Sequence, residues 1–113
     1  MPDDTPVLTV RFFCTDAGNE PVRDWLVALP RQHRRLIGID IKAVQLGWPM
    51  GMPIVRKLEV GLWEVRSDLG DTIARVLFAV AACEMVLLHG FIKKSQKTPL
   101  TELTTARQRK SRL

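Results

Sequence analysis

A chain of 113 residues with 46% hydrophobic and 26% charged side chains has the balance of an ordinary globular domain, long enough to bury a core without disulfide or metal staples. No apolar run approaches a membrane span, and the opening MPDDTP lacks the basic-then-apolar order of a signal peptide; membrane and secreted proteins are set aside, and the cytoplasm is the expected location. The net charge of +5 is concentrated: residues 93–113 carry seven Lys or Arg and one acid, Glu102, against ten basic and eleven acidic groups before them. That patch fits either a polyanion partner, nucleic acid first, or a solvated tail that serves solubility.

Val7–Phe13, rich in β-branched and aromatic residues, reads as a first strand. TDAGNE is turn chemistry, after which Pro21 suits the first position of a helix whose apolar face is Val22, Trp25, Leu26 and Leu29. Pro30 breaks it, and a second helix is expected from about Arg31 to Leu46, with Leu36, Ile37, Ile41 and Val44 inward. Gly47 and Pro49 stop that helix, and WPMGMP cannot be regular structure.

Four strands follow: Ile54–Leu58, Leu62–Ser67, Thr72–Val80 and Glu84–Ile92. Strict alternation places Glu64 and Arg66 on one face of the third strand, and Ile73, Arg75 and Leu77 on one face of the fourth. On the fifth, it sets Met85, Leu87, His89 and Phe91 one way and Val86, Leu88, Gly90 and Ile92 the other. Thr98 can cap a last helix that Pro99 opens; with only Leu100, Leu103 and Ala106 as its apolar stripe, it should fray after about Arg107. Cys14 and Cys83 lie in apolar runs and are expected to be buried free thiols, too few to form a metal set.

The order β-αα-ββββ-α predicts one α+β domain over residues 1–113: a small, mostly antiparallel sheet, two N-terminal helices packed on one face, and a short C-terminal helix. The opposite face, with Glu64, Arg66 and Arg75, should stay comparatively open. Arg66 and Arg75 share that face, which makes them either an anion site, because guanidinium forks match phosphate oxygens, or a surface ladder neutralised by Glu64 and Asp68. His89 is either a satisfied structural residue or a general acid or base. Phe91 either stacks on a base or fills core. Lys93, Lys94 and Lys97 are either a solvated cluster or part of a phosphate cradle that Lys57 could join.

There is no phosphate-binding Gly-rich loop, Cys/His ligand spacing, nucleophile elbow or carboxylate pair suited to Mg²⁺. No cofactor is expected. Cleavage of a phosphodiester by these residue types would use the ribose 2′-OH as nucleophile, which restricts the substrate to RNA.

The runs KLEVGLWEVRSD, ARVLFAV and VLLHGFIKKSQKTP resemble the HigB branch of the RelE/ParE toxin superfamily, including its phage-derived relatives, most specifically through HGFIKKSQKTP. The resemblance implies a RelE-like fold and the toxin half of a bacterial type II toxin–antitoxin pair. It also implies metal-independent, ribosome-dependent cleavage of mRNA and a helix-turn-helix, HigA-like antitoxin as partner. Carried over by position, Arg75 in ARVLF, Arg66, Lys93 and Lys94 match basic positions of the pattern, and His89 with Phe91 matches its HGF. These five, Arg66, Arg75, His89, Lys93 and Lys94, are the implied catalytic set. Lys57, Phe91, Lys97, Arg107, Arg109 and Lys110 are the implied RNA contacts, and Arg75→Ala should abolish toxicity while leaving the fold intact. The chain has no tyrosine, which several superfamily toxins use at the active site. Other relatives inhibit DNA gyrase, so a non-catalytic inhibitor and an inactive antitoxin-binding module are the alternatives.

Overall fold

The computed structural model describes residues 5–93 and 97–113. The chain runs β1 (Thr9–Phe12), α1 (Pro21–Ala28), α2 (Arg31–Gly47), β2 (Val55–Glu59), β3 (Leu62–Asp68), β4 (Ile73–Ala81), β5 (Glu84–Lys93) and α3 (Leu100–Lys110). The strands form one sheet in the order β1-β5-β4-β3-β2. Tight turns make β2 to β5 an antiparallel meander, and β1 joins its far edge parallel to β5. Parallel neighbours need a long crossover; here the α1–α2 pair and the meander supply it. This is the α+β architecture that the pattern of elements predicts.

Helices α1 and α2 cover one face. Val22, Ile37, Ile41 and Val44 are buried there against Val55, Val65, Val76, Phe78, Met85 and Leu87. Each such aliphatic side chain contributes about 1.5–3 kcal/mol by leaving water. Trp48, just past the end of α2, packs edge-on against Trp63 (5.0 Å between centroids) and Phe78 (5.6 Å), tying the irregular 48–53 connection to the sheet.

The other face is not open. Helix α3 lies across it, setting Leu103 and Ala106 over Leu62, Leu77, Val86, Leu88 and Phe91, so the sheet has a core on each side. The helix also continues to Lys110 instead of fraying after Arg107. Its last turns are held by polar contacts that no apolar stripe reveals: Arg107 Nη2 to Glu59 Oε1 at 2.7 Å, Lys110 Nζ donating to the Val60 carbonyl at 3.1 Å, and Arg112 paired with Asp16. The N-cap is Pro99, which leaves the Thr98 hydroxyl for another partner. Cys14 and Cys83 are free but exposed, one just beyond β1 and the other in the β4–β5 turn, so neither is the buried thiol expected. Among the described residues, no helix is long and apolar enough to cross a membrane.

Two β-bulges decide which side chains face α3. In β5, Phe78 pairs with Leu87 but Leu77 pairs with His89, leaving Leu88 as an extra residue. In β2, Glu64 pairs with Arg56 and Leu62 with Glu59, which makes Leu58 the extra residue. One inserted residue moves everything beyond it to the opposite face. Strict alternation would have placed His89 and Phe91 beside Leu87 under α1 and α2. The bulge instead turns both toward α3, with Phe91 directly opposite Arg75.

Candidate functional site

The β3–β4 hairpin has no bulge, and Arg66 and Arg75 lie directly opposite each other on the α3 face. Like charges facing across a ladder repel, and Glu64 resolves the conflict. Two residues before Arg66 on the same face, its Oε1 lies 3.7 Å from Arg66 Nε and 3.5 Å from Arg75 Nη1. Its Oε2 accepts a hydrogen bond from the Thr98 hydroxyl at 2.7 Å. The expected neutralising role of Glu64 is thus met in the core and not on a surface ladder: Glu64 and Arg75 are both fully buried, and the Arg66 side chain is 10% exposed.

Burial pushes the Arg75 guanidinium below its ordinary pKa, the Glu64 carboxylate opposes that shift, and the nearby Arg66 and Arg56 add to it. Arg56 sits opposite Glu64 in the β2–β3 ladder, which puts a third cation on this face of the sheet. With unbroken pairing from the Val60–Gly61 turn, Lys57 would hold that place. Because of the bulge, Lys57 pairs with Trp63 and is exposed on the α1–α2 face, away from Arg66 and Arg75.

Arg66 lines a cleft of about 380 Å³ at the end of the sheet. Met52, Pro53 and Ile73 supply apolar walls, and Asp68, Asp71 and Thr72 bring oxygens. Arg66 Nη1 rests 3.8 Å from Met52 Sδ, and Asp68 Oδ1 accepts the Gly70 N–H at 2.8 Å, which fixes the hairpin turn. Lys93, exposed at the end of β5, is opposite the lining residue Ile73. Lys97 is exposed just before α3, and Lys94 lies outside the described residues.

His89 is occupied by α3. Its Nε2 is 2.9 Å from Glu102 Oε2, and its Nδ1 is 3.3 Å from Arg109 Nη1. A guanidinium only donates. Nδ1 therefore accepts, and Nε2 carries the proton that bonds Glu102. The ring also stacks on Phe91, with centroids 5.8 Å apart. Arg109 donates to the Leu88 carbonyl at 2.8 Å and lies over the Phe13 ring, and burial lowers its pKa. The bulge at Leu88 is thus pinned from outside, since Arg109 takes its carbonyl and the next side chain at once. Arg107, Arg109 and Lys110, expected as RNA contacts, fasten α3 to the sheet. Phe91 is buried in the α3-side core, opposite Arg75.

Gly90, between His89 and Phe91, faces the other way. A Cβ there would lie 2.4 Å from Trp25 Cε3, so the α1 tryptophan packs directly on the β5 backbone.

The hairpin, both bulges, the Glu64 cluster and all of α3 fall within residues 24–111, the stretch matched by the family described as phage-derived protein Gp49-like (DUF891). The chain belongs to that family. It is a family associated with RelE/HigB-like toxins. No curated protein matches the chain. In this Gp49-like protein, the HGF signature divides by face: histidine and phenylalanine go to α3 and the arginine cluster, glycine to α1. Arg56 and Glu102 are the polar members that alternation does not single out, and Thr98 reads from the sequence only as a helix cap; the inserted leucines of β2 and β5 leave no signal that marks the bulges.

Proposed function

We propose that this Gp49-like protein is the toxin of a bacterial type II toxin–antitoxin pair and cuts translated mRNA on the ribosome. The supporting observation is the placement of Arg66. Its guanidinium lines a cleft of about 380 Å³, while the Glu64 carboxylate, itself paired with Arg75, lies 3.7 Å from its Nε, at ion-pair and not hydrogen-bond distance. A pre-oriented cation at a cleft costs no reorganisation when charge develops on a phosphate.

In the reaction, the ribose 2′ oxygen attacks the adjacent phosphorus, the P–O5′ bond breaks, and a 2′,3′-cyclic phosphate and a 5′-hydroxyl result. Arg66 contacts a phosphate oxygen and stabilises the added charge of the phosphorane. Asp68 and Asp71 line the cleft and are the acceptors for the 2′-OH proton. Lys93, opposite the cleft residue Ile73, donates to the leaving oxygen, with Lys97 as a further cation toward the message. Arg75, fully buried, supports Arg66 through Glu64 and does not touch the message itself. With both ring nitrogens bonded to α3, His89 holds the bulge in place, and proton transfer falls to the cleft residues. The partner in the cell is an antitoxin of the helix-turn-helix class encoded beside the toxin.

The same engagement of His89 and burial of Arg75 favour one second reading, an inactive antitoxin-binding module. Induced expression of the chain without antitoxin separates the two. The nuclease arrests growth and leaves 5′-hydroxyl ends within reading frames, Arg66→Ala does neither, and the inactive module leaves growth normal.

A further inference from the structure

We propose that Glu64 and Thr98 form a positioning latch that sets Arg66 at the cleft according to how the segment leading into α3 is seated. This rests on the reading of the cleft as the phosphodiester site. Neither residue touches the message; both act through Arg66.

Three observations carry it. First, Glu64 is fully buried on a strand whose same-face neighbours include Leu62 and Leu77. A buried carboxylate is costly, and replacing such ion pairs with packed apolar side chains often costs a fold nothing. Stability alone therefore gives no reason to keep the whole cluster of Glu64 with Arg66 and Arg75. Second, the Glu64 oxygens are divided between two tasks. Oε1 is ion-paired with Arg66 at 3.7 Å and with Arg75 at 3.5 Å, and Oε2 takes the Thr98 hydroxyl at 2.7 Å. Third, Thr98 does not cap α3, although it stands where a capping residue would be expected, and its hydroxyl reaches back to β3 instead. The segment that enters α3 is thus bonded to the carboxylate that aims Arg66. Displacing the 97–99 segment removes an Oε2 partner and frees the carboxylate to turn, which moves Oε1 and the guanidinium it orients.

The test uses full-length protein and three variants. Thr98→Val removes the hydroxyl at nearly constant shape, Thr98→Ser keeps it, and Glu64→Gln keeps an acceptor for Thr98 but drops the charge. The first readout needs no activity: the Arg66 Nε–H resonance in ¹⁵N-edited spectra of the free protein. Thr98→Val and Glu64→Gln shift it, and Thr98→Ser leaves it at the wild-type position. The second is single-turnover message cleavage on programmed ribosomes. Thr98→Val lowers the saturating rate by about tenfold to a hundredfold, the scale of a small misplacement at a reacting centre. The half-saturating concentration stays unchanged, and Thr98→Ser restores the rate. An unmoved Arg66 signal in Thr98→Val overturns the latch, as does a Thr98→Ser rate as low as that of Thr98→Val. If wild-type protein does not cut at all, the nuclease reading fails by itself, and the Arg66 resonance still decides the latch. If Glu64→Gln does not fold, the two Thr98 variants carry the test.

Discussion

Gly90→Ala should destabilise this protein through one contact. The new methyl carbon would stand 2.4, 2.5 and 2.9 Å from Cε3, Cζ3 and Cδ2 of Trp25. Carbon atoms pack at about 3.5–4.0 Å, so the overlap exceeds what small shifts absorb. Either β5 bends away from α1 or the indole swings off the strand and gives up part of its burial. Overpacking of this kind costs about 1–3 kcal/mol, and a rigid ring with three atoms inside 3 Å of the new carbon places it at the upper end. With about 4 °C lost per kcal/mol for a chain of this size, the melting temperature should fall by about 10 °C. Urea unfolding should show a lower midpoint with an unchanged slope. The control is the same substitution in a Trp25→Ala background. With the ring gone, alanine should be neutral or slightly stabilising, because glycine in a strand costs about 0.5–1 kcal/mol relative to alanine. A Gly90→Ala variant within about 0.5 kcal/mol of wild type, or one equally damaged without Trp25, would refute the reasoning.

Arg75→Ala breaks a fully buried ion pair, so it should cost about 3 kcal/mol of stability by denaturant titration as well as lowering toxicity; a variant as stable as wild type would contradict the burial. Arg56→Ala should weaken cleavage while Lys57→Ala behaves as wild type, because the bulge at Leu58 gives Arg56 the place opposite Glu64; the reverse order in a growth assay would mean the ladder is unbroken. The Arg107 hydrogen bond holds the Glu59 carboxyl below its ordinary value of 4.5. Since the folded pKa is the lower one, this contribution is complete above the unfolded value and is lost as pH falls through the folded one. Amide exchange in the last turn of α3 should therefore rise, relative to its intrinsic rate, as the pH falls below the ordinary carboxyl value of 4.5. Glu59→Gln should show the faster exchange already at neutral pH, and identical profiles for the two proteins would remove Glu59 as an anchor.

The element order and the pairing of Arg66 with Arg75 can be read from the chain because they rest on local, unbroken patterns. The α2 stripe of Ile37, Ile41 and Val44 has the helical period, and the β3–β4 hairpin alternates cleanly through a tight turn. The faces of Lys57, His89 and Phe91 cannot be read that way. A bulge inserts one residue that looks like any other strand leucine, here Leu58 between Lys57 and Glu59 and Leu88 beside Leu87, and all later positions exchange faces. The second core was hidden for a different reason. Helix α3 has few apolar contacts and is held by Glu102–His89, Arg107–Glu59 and Arg109–Leu88, long-range polar pairs that no periodicity marks. Thr98 shows the same limit, since its position signals a helix cap while its partner is decided by the tertiary fold.

The most direct test of the account is message cleavage by purified protein on programmed ribosomes, with wild type and Arg66→Ala compared at equal stability. The account predicts cuts within the decoded frame that leave 5′-hydroxyl ends, that vanish when the message is not being translated, and that are lost in Arg66→Ala. Uncut messages from a folded wild-type protein that still arrests growth, or full cleavage by Arg66→Ala, would contradict it.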